Sequence, residues 1–301
     1  MKRGHAYPAT VAAWLHEIQH RFRGARLFYG HGTHDAGEEA VWLVCHVLRI
    51  PFDQLEGARD RAVPAAAGRR LDALADRRIR TREPLAYTLR EAWLQHRRFY
   101  VDRRVIVPRS HIAELLPHGL SPWLQERGPK RVLDLCTGSG CLAILAALAF
   151  PGARVDASDV SPGALAVARR NVAAYRLTRR VRVVRSDLFA RLDKARYDLI
   201  LCNPPYVPDA EMRRLPPEYR HEPRLALASG RDGLDFVRRL IDQAAGHLAR
   251  RGLLVVEVGD GRAAVERAFP RFGATWLETA AGPNLVFAVT REALRSSLRP
   301  A

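Results

Sequence analysis

Apolar residues recur with two different periods along the chain. From about residue 9 to 92 the period is helical: Val11, Trp14, Leu15, Ile18 and Phe22 form one stripe of "VAAWLHEIQHRF". "DAGEEAVWLVCHVLRI" opens with Asp35 as a candidate cap and acidic first-turn residues, then runs apolar until Pro51 stops it. "VPAAAGRRLDALADRRIRT" has a proline near its start and the Ala-rich body of another helix. No strong strand alternation interrupts this region, so residues 1–95 read as a small helical domain. In "RRFYVDRRVIVPR" the pattern changes. Phe99, Val101, Val105 and Val107 are strand-type residues on either side of charged Asp102 to Arg104, which predicts a β-hairpin connector over 96–110.

Over 111–301 short apolar runs alternate with helical spans. Strands are expected at "RVLDL", "RVDAS", "RVRVVRS", "YDLILCN", "LLVVEVG", "ATWLET" and "NLVFAVT", and helices over 140–149, 162–174, 232–249 and 261–269. This alternation builds βαβ units and a parallel sheet covered on both faces. Only "AAGPN" separates the last two strands, so they form a hairpin and the final strand runs antiparallel to its neighbours. The closing "TREALRSSLRPA" reads as a short helix or a frayed tail.

Composition changes this picture in three ways. At 301 residues and 48% hydrophobic, the chain can bury a sizeable core and is not globally disordered. The balance of 49 basic to 32 acidic residues gives +17, which favours polyanionic partners such as nucleic acid, a ribosome or an anionic membrane surface. Only Lys2, Lys130 and Lys194 are lysines, and an arginine skew of that kind also follows from genome composition, so charge alone leaves both readings open. Cys45, Cys136, Cys141 and Cys202 form no CxxC pair, which predicts reduced thiols in the cytoplasm rather than a disulfide framework. "CLAILAALAF" is too short to span a bilayer. The N-terminal apolar stretch is broken by His16 and Glu17 and does not read as a signal peptide.

The candidate chemistry lies at strand ends. "VLDLCTGSGCLAI" is a strand, a glycine loop and a helix start, in which Gly138 and Gly140 allow a tight turn and close approach to a ligand. Asp159 ends the next strand, where a carboxylate can accept both ribose hydroxyls of a nucleotide-like cofactor. The third strand ends in "SDLF": Asp187 can reach a base edge, and Leu188 and Phe189 can sandwich a flat ring, although an aromatic here is more often core. The fourth ends in "NPPY". Pro204 fixes its own φ and forces Asn203 out of the α region, and neither proline has an N–H. The Asn203 side-chain oxygen and the Pro204 carbonyl thus make a stiff pair of acceptors, suited to gripping an amide or aromatic amine by its two N–H groups.

These residues resemble the class I S-adenosylmethionine-dependent methyltransferases, in the amino-group branch with the (D/N/S)PP(Y/F/W) signature. "REPLAY", "VPRS", "DLCTGSGC", "NPPYV" and "YRHEPRLALASGRDGLDF" together resemble the protein-glutamine methyltransferases of the HemK family. The cysteine after "DL", "PRS" and "EYRHEP" favour the PrmB subgroup, which modifies a glutamine of large-subunit ribosomal protein L3. The resemblance implies a Rossmann-like α/β domain with a seven-stranded sheet and an antiparallel last strand, preceded by a helical domain that reads the protein substrate. It implies S-adenosyl-L-methionine as cofactor; no metal and no membrane partner are expected, and the arginine clusters would steer transient contact with ribosomal RNA if the target is folded onto it. By position it assigns Cys136, Thr137, Gly138, Ser139 and Gly140 to the methionine part, and counts Asp134 and Asn203 among the cofactor-binding residues. Asp159 goes to the ribose, Asp187 and Leu188 to the adenine, and Asn203, Pro204, Pro205 and Tyr206 to the target glutamine. Leu188 departs from the tryptophan often found in the release-factor subgroup and stacks less well.

Four rival readings stand beside this one. They are a glutamine methyltransferase of peptide-chain release factors (GGQ motif), a nucleic-acid adenine methyltransferase, a non-catalytic RNA-binding or assembly protein, and a nicotinamide oxidoreductase. The adenine enzyme would need a large recognition domain, and the oxidoreductase gives "NPPY" no task. His31 and His34 in "HGTH" lack acidic or thiol companions and read as hydrogen-bonded loop residues. Glu222 reads equally as a substrate contact or a cap, and the arginines at 77–82 and 213–224 as a solvated face.

Overall fold

A computed structural model describes residues 7–124, 128–192 and 196–297, and the end of the expected tail, 298–301, lies outside them. The chain divides into two compact units, residues 1–91 with 216–221, and residues 92–215 with 222–301.

The first unit is helical. Its helices are α1 (Val11–Gly24), α2 (Ala36–Leu48), α3 (Ala65–Thr81) and the short α4 (Leu85–Leu89). Asp35 caps α2 by accepting from the N–H groups of Gly37 and Glu38. The α1 stripe buries Val11, Trp14, Ile18 and Phe22, while Leu15 stays at its edge.

The second unit carries the sheet. In chain order its elements are β1 (Ala92–Leu94), β2 (Arg97–Phe99), α5 (Ile112–Leu115), β3 (Arg131–Leu135), α6 (Cys141–Ala149), β4 (Arg154–Asp159), α7 (Pro162–Ala174), β5 (Val181–Arg185), β6 (Tyr197–Cys202), α8 (Asp209–Met212), α9 (Asp235–His247), β7 (Leu248–Glu257), α10 (Arg262–Ala268), β8 (Thr275–Leu277), β9 (Val286–Thr290) and α11 (Arg291–Ser297). The strand order is β5-β4-β3-β6-β7-β9-β8, parallel except that β9 runs antiparallel to both β7 and β8. This is the expected α/β class with its antiparallel final strand.

Successive residues of the central strands enter opposite cores. Val132, Leu199, Leu201 and Val255 join α5 and α6 on one face, and Leu133, Ile200, Cys202 and Val256 join α9, α10 and α11 on the other. Burial on both faces explains the unbroken apolar runs.

The hairpin lies earlier than the alternation predicts. β1 pairs with β2, and Gln95 and His96 turn it, both with positive φ. That is the conformation of a type I′ turn, here without its Asn-Gly signature. Asp102–Arg104 forms a turn within an extended segment instead, because Asp102 accepts from the Arg104 N–H at 3.1 Å and its carbonyl from the Val105 N–H.

Candidate active site

The carboxyl ends of β3, β4, β5 and β6 lie on one side of the sheet and open onto one cavity, of about 1070 Å³ including its mouth. Cys136 and Gly138 line it from the first end, Asp159 from the second, Asp187 and Leu188 from the third, and Asn203 and Pro205 from the fourth. Strand alternation delivers these loops to the crevice where open α/β sheets bind ligands.

The glycine loop is fixed from beneath. Asp134 is fully buried and accepts from the Thr137 hydroxyl and from the Ala143 N–H at 3.0 Å, while its Oδ1 finds no partner. Burial pushes the Asp134 carboxyl up to about 7. Cys136, Gly138 and Gly140 take positive φ in turn, so the chain zigzags around the cavity. The Gly138 N–H donates to Asp159 at 3.0 Å and the Ser161 N–H donates to its other oxygen at 2.9 Å. Burial raises the Asp159 carboxyl despite these two bonds, and each oxygen keeps lone-pair capacity toward the cavity. The Cys136 thiol is pushed up by a hydrogen bond with Cys202, then by burial.

At the fourth end Pro204 is buried while Asn203 and Pro205 face the cavity. The Tyr206 ring lies against Gly259, where an added Cβ would come within 2.7 Å of it. The chain then makes an excursion and returns. The Val207 N–H donates to Leu227 O at 2.8 Å, and the Ser229 N–H donates back to Val207 O at 3.0 Å.

Val105 and Ile106 on one strand-like segment, and Pro223 and Leu225 on the returning excursion, also line the cavity. One carboxylate joins these two segments. Glu222 is buried and accepts from both terminal nitrogens of Arg109, at 2.6 and 2.7 Å, and from the Val107 N–H at 2.9 Å. Two alternatives were open for Glu222, and this geometry makes it a fastener of the "VPR" and "HEP" segments. Ser110 and the His111 N–H are likewise tied to Glu257.

Of the sequence-predicted residues, Cys136, Gly138, Asp159, Asp187, Leu188, Asn203 and Pro205 share the cavity wall. Asp134, Thr137, Ser139, Gly140, Pro204 and Tyr206 support it from behind or beside. Phe189 does not sandwich a ring in the cavity: it is 4% exposed and stacks on His247, with centroids 4.2 Å apart. Several wall residues had no site role in the sequence reading, Phe236 and Arg239 among them, and Arg239 pairs with Asp187 at 2.8 Å. Phe236 closes the quoted "GRDGLDF" stretch and Arg239 lies three residues on along α9, so membership of that motif and helical spacing from it were the signals. Leu188 has positive φ, a strain no sequence pattern announced.

The arginines at 77–82 are not uniformly solvated. Arg78 is 1% exposed and pairs with Glu39 at 3.0 Å and Glu218 at 3.5 Å, and Arg82 holds Glu218 at 2.7 Å. Burial opposes the Glu218 charge, but the Phe28 N–H and these arginines outweigh it and hold its carboxyl below the ordinary range. His31 is buried beside the Tyr219 ring, centroids 4.6 Å apart. Among the described residues no group of three His, Cys, Asp or Glu is placed to hold a metal, and no helix is long and apolar enough to cross a membrane.

Two family models match the chain: the PrmC N-terminal domain over residues 13–89 and the Methyltransferase small domain over 118–215. A Bordetella pertussis protein named ribosomal protein uL3 glutamine methyltransferase is 53% identical over 92% of this chain and 93% of its own length. A Burkholderia pseudomallei protein of the same name is 49% identical, over 93% and 94%. Among solved structures, the hMettl16 catalytic domain in complex with a MAT2A 3'UTR hairpin is 19% identical, covers 82% of this chain and 90% of its own, and has a TM-score of 0.50, a likeness of fold alone.

Proposed function

The chain belongs to the family of ribosomal protein uL3 glutamine methyltransferases, and from that premise we propose that it transfers a methyl group from S-adenosyl-L-methionine to the side-chain amide nitrogen of a glutamine in uL3. The supporting observation is that Asn203 and Asp159 line one cavity.

The residues present fit the cofactor. Gly138 has no Cβ, and space is open on its side of the loop. Asp159 is immobilised by two N–H groups and has acceptor capacity left for ribose hydroxyls. Leu188 and Phe236 offer apolar faces for a flat base, and Asp187 offers an acceptor at its edge. When bound, the cofactor supplies an electrophilic methyl group on a sulfonium.

The protein's task is to make a poor nucleophile reactive. An amide lone pair is delocalised into its carbonyl. Among the described residues no protein hydrogen bond occupies the Asn203 side-chain amide, so its Oδ1 is available to accept from one amide N–H of the glutamine, and the Pro204 carbonyl from the other. Two accepted bonds push electron density onto the nitrogen and fix its direction. Positioning of this kind removes several kcal/mol of barrier, on the order of 10²-fold or more in rate. The two oxygen dipoles also favour the positive charge that grows on the nitrogen during transfer. The amide proton then leaves to solvent. The Tyr206 ring, braced on Gly259, packs on the aliphatic stem of the glutamine.

The test presents purified uL3, a release factor with its GGQ loop, and an adenine-containing RNA, each with methyl-labelled cofactor. Label on a glutamine of uL3 alone is expected. Label on the GGQ glutamine would move the enzyme to the release-factor class, and label on adenine would overturn the reading.

A further inference from the structure

Leu225 lines the cavity, yet it is 62% exposed, the most exposed large hydrophobic side chain among the described residues. Its backbone is held on both sides. Arg224–Ala226 is a single 3-10 turn in which the Ala226 N–H donates to Pro223 O at 2.9 Å and the Leu227 N–H to Arg224 O at 3.0 Å. Before the turn, Glu222 is fastened by Arg109 and the Val107 N–H. After it, Ala228 bridges Val207 in the parallel sense. The returning chain therefore runs in the same direction as "NPPYV", and Leu225 and Ala226 lead into the bridge on one side as Pro205 and Tyr206 do on the other. This places Leu225 beside the end of β6, where Asn203 stands, on a backbone with little freedom to move.

A lone leucine on a protein surface is ordinary, but this one belongs to an apolar lip. Val105, Ile106, Pro205, Pro223 and Ala226 line the same cavity. The cations around the lip are already matched. Of the two arginines in the cavity wall, Arg104 is held by Asp102 at 2.6 and 2.8 Å and Arg239 by Asp187 at 2.8 Å. Arg224, next to Leu225 in the chain, pairs with Asp209 at 3.2 Å. The +17 balance belongs to the chain as a whole, whereas each of these three guanidinium groups has an aspartate. A phosphate backbone would have to displace those carboxylates to bind at the lip, and an apolar stretch of protein displaces none.

We propose that Leu225 determines specificity for the protein substrate by packing on an apolar side chain that flanks the target glutamine. The proposal deepens the uL3 reading and rests on it. An apolar anchor on a held backbone loses little freedom when it is covered, so most of the gain from burial appears as affinity. Covering the 62% of Leu225 that is exposed corresponds to about 5- to 25-fold in binding. The contact would be made with the residue beside the glutamine and not with the reacting amide, so it acts on substrate choice and leaves the chemistry to the end of β6.

Leu225→Ser and Leu225→Met are compared with wild type and with Leu148→Ser, which changes an exposed leucine of α6 outside the cavity. Methyl transfer is measured against uL3 concentration, and cofactor affinity by calorimetry. Leu225→Ser is expected to raise KM for uL3 about 5- to 25-fold, with the loss in KM rather than kcat and cofactor affinity kept. Leu225→Met should restore most of it, and Leu148→Ser should behave as wild type. In a serine scan of the residues flanking the glutamine, one apolar position should weaken the wild type and add nothing in Leu225→Ser, the mark of a direct contact. An unchanged KM, additive effects at every flanking position, or a fall in cofactor affinity that accounts for the loss would overturn the proposal. Label on a release factor in place of uL3 would strike the function above, and the same KM comparison on that protein would still decide the role of Leu225. Label on RNA and on no protein would strike both.

Discussion

Replacing Gly259 by alanine tests whether the Tyr206 ring positions the substrate. The new Cβ would stand 2.7 Å from one ring carbon and 3.1 and 3.2 Å from two more. Ordinary carbon contacts lie near 3.5–4.0 Å, so the ring or the backbone must yield by about 0.8–1.3 Å. Gly259 also has φ of +52°, and an alanine there costs roughly 1–2 kcal/mol of stability. A misplacement of about 1 Å at a reacting centre can cost on the order of 10²-fold in rate. The variant should therefore melt only slightly earlier, bind cofactor like wild type because Gly259 does not line the cavity, and transfer methyl groups to uL3 about 10- to 100-fold more slowly. Calorimetry with cofactor and timed transfer of a labelled methyl group measure the two properties separately. Tyr206→Phe, which keeps the ring, should be mild. A folded Gly259→Ala protein with wild-type turnover would refute the idea that the ring guides the glutamine.

Glu222→Ala removes the carboxylate shared by Arg109 and the Val107 N–H and should cost about 2–3 kcal/mol in a denaturant melt; an unchanged midpoint would show that the two segments hold together without it. Asp134 is raised to about 7 from an unfolded value near 3.8. Its neutral form therefore contributes stability below the unfolded value, and about 4 kcal/mol of that is lost as pH rises through 7. Asp134→Asn should flatten that part of the stability–pH curve, and identical slopes for the two proteins would contradict the burial account.

The strands were legible because each central one is buried on both faces, and a run such as "DLILC" admits few other placements. The strand ends were legible because glycines, Asp159 and Asn203 break those runs abruptly. The hairpin turn was misplaced because Gln95 and His96 adopt positive φ without glycine or asparagine to announce it. Arg78 looked solvated because its neutralising carboxylates, Glu39 and Glu218, lie far away in sequence. Glu222 was ambiguous for the same reason: its partner Arg109 is a distant motif, and only folding shows that the two motifs close one wall. Phe189 fell on the core side because positive φ at Leu188 redirects the chain just before it.

The central claim is that oxygen atoms at the end of β6 hold a substrate amide. Asn203→Ala measures it most directly, with cofactor affinity by calorimetry and methyl transfer to uL3 read by tandem mass spectrometry. The account predicts near wild-type cofactor affinity and a loss of transfer of about 10²-fold or more. Transfer at the wild-type rate to the same glutamine would contradict it.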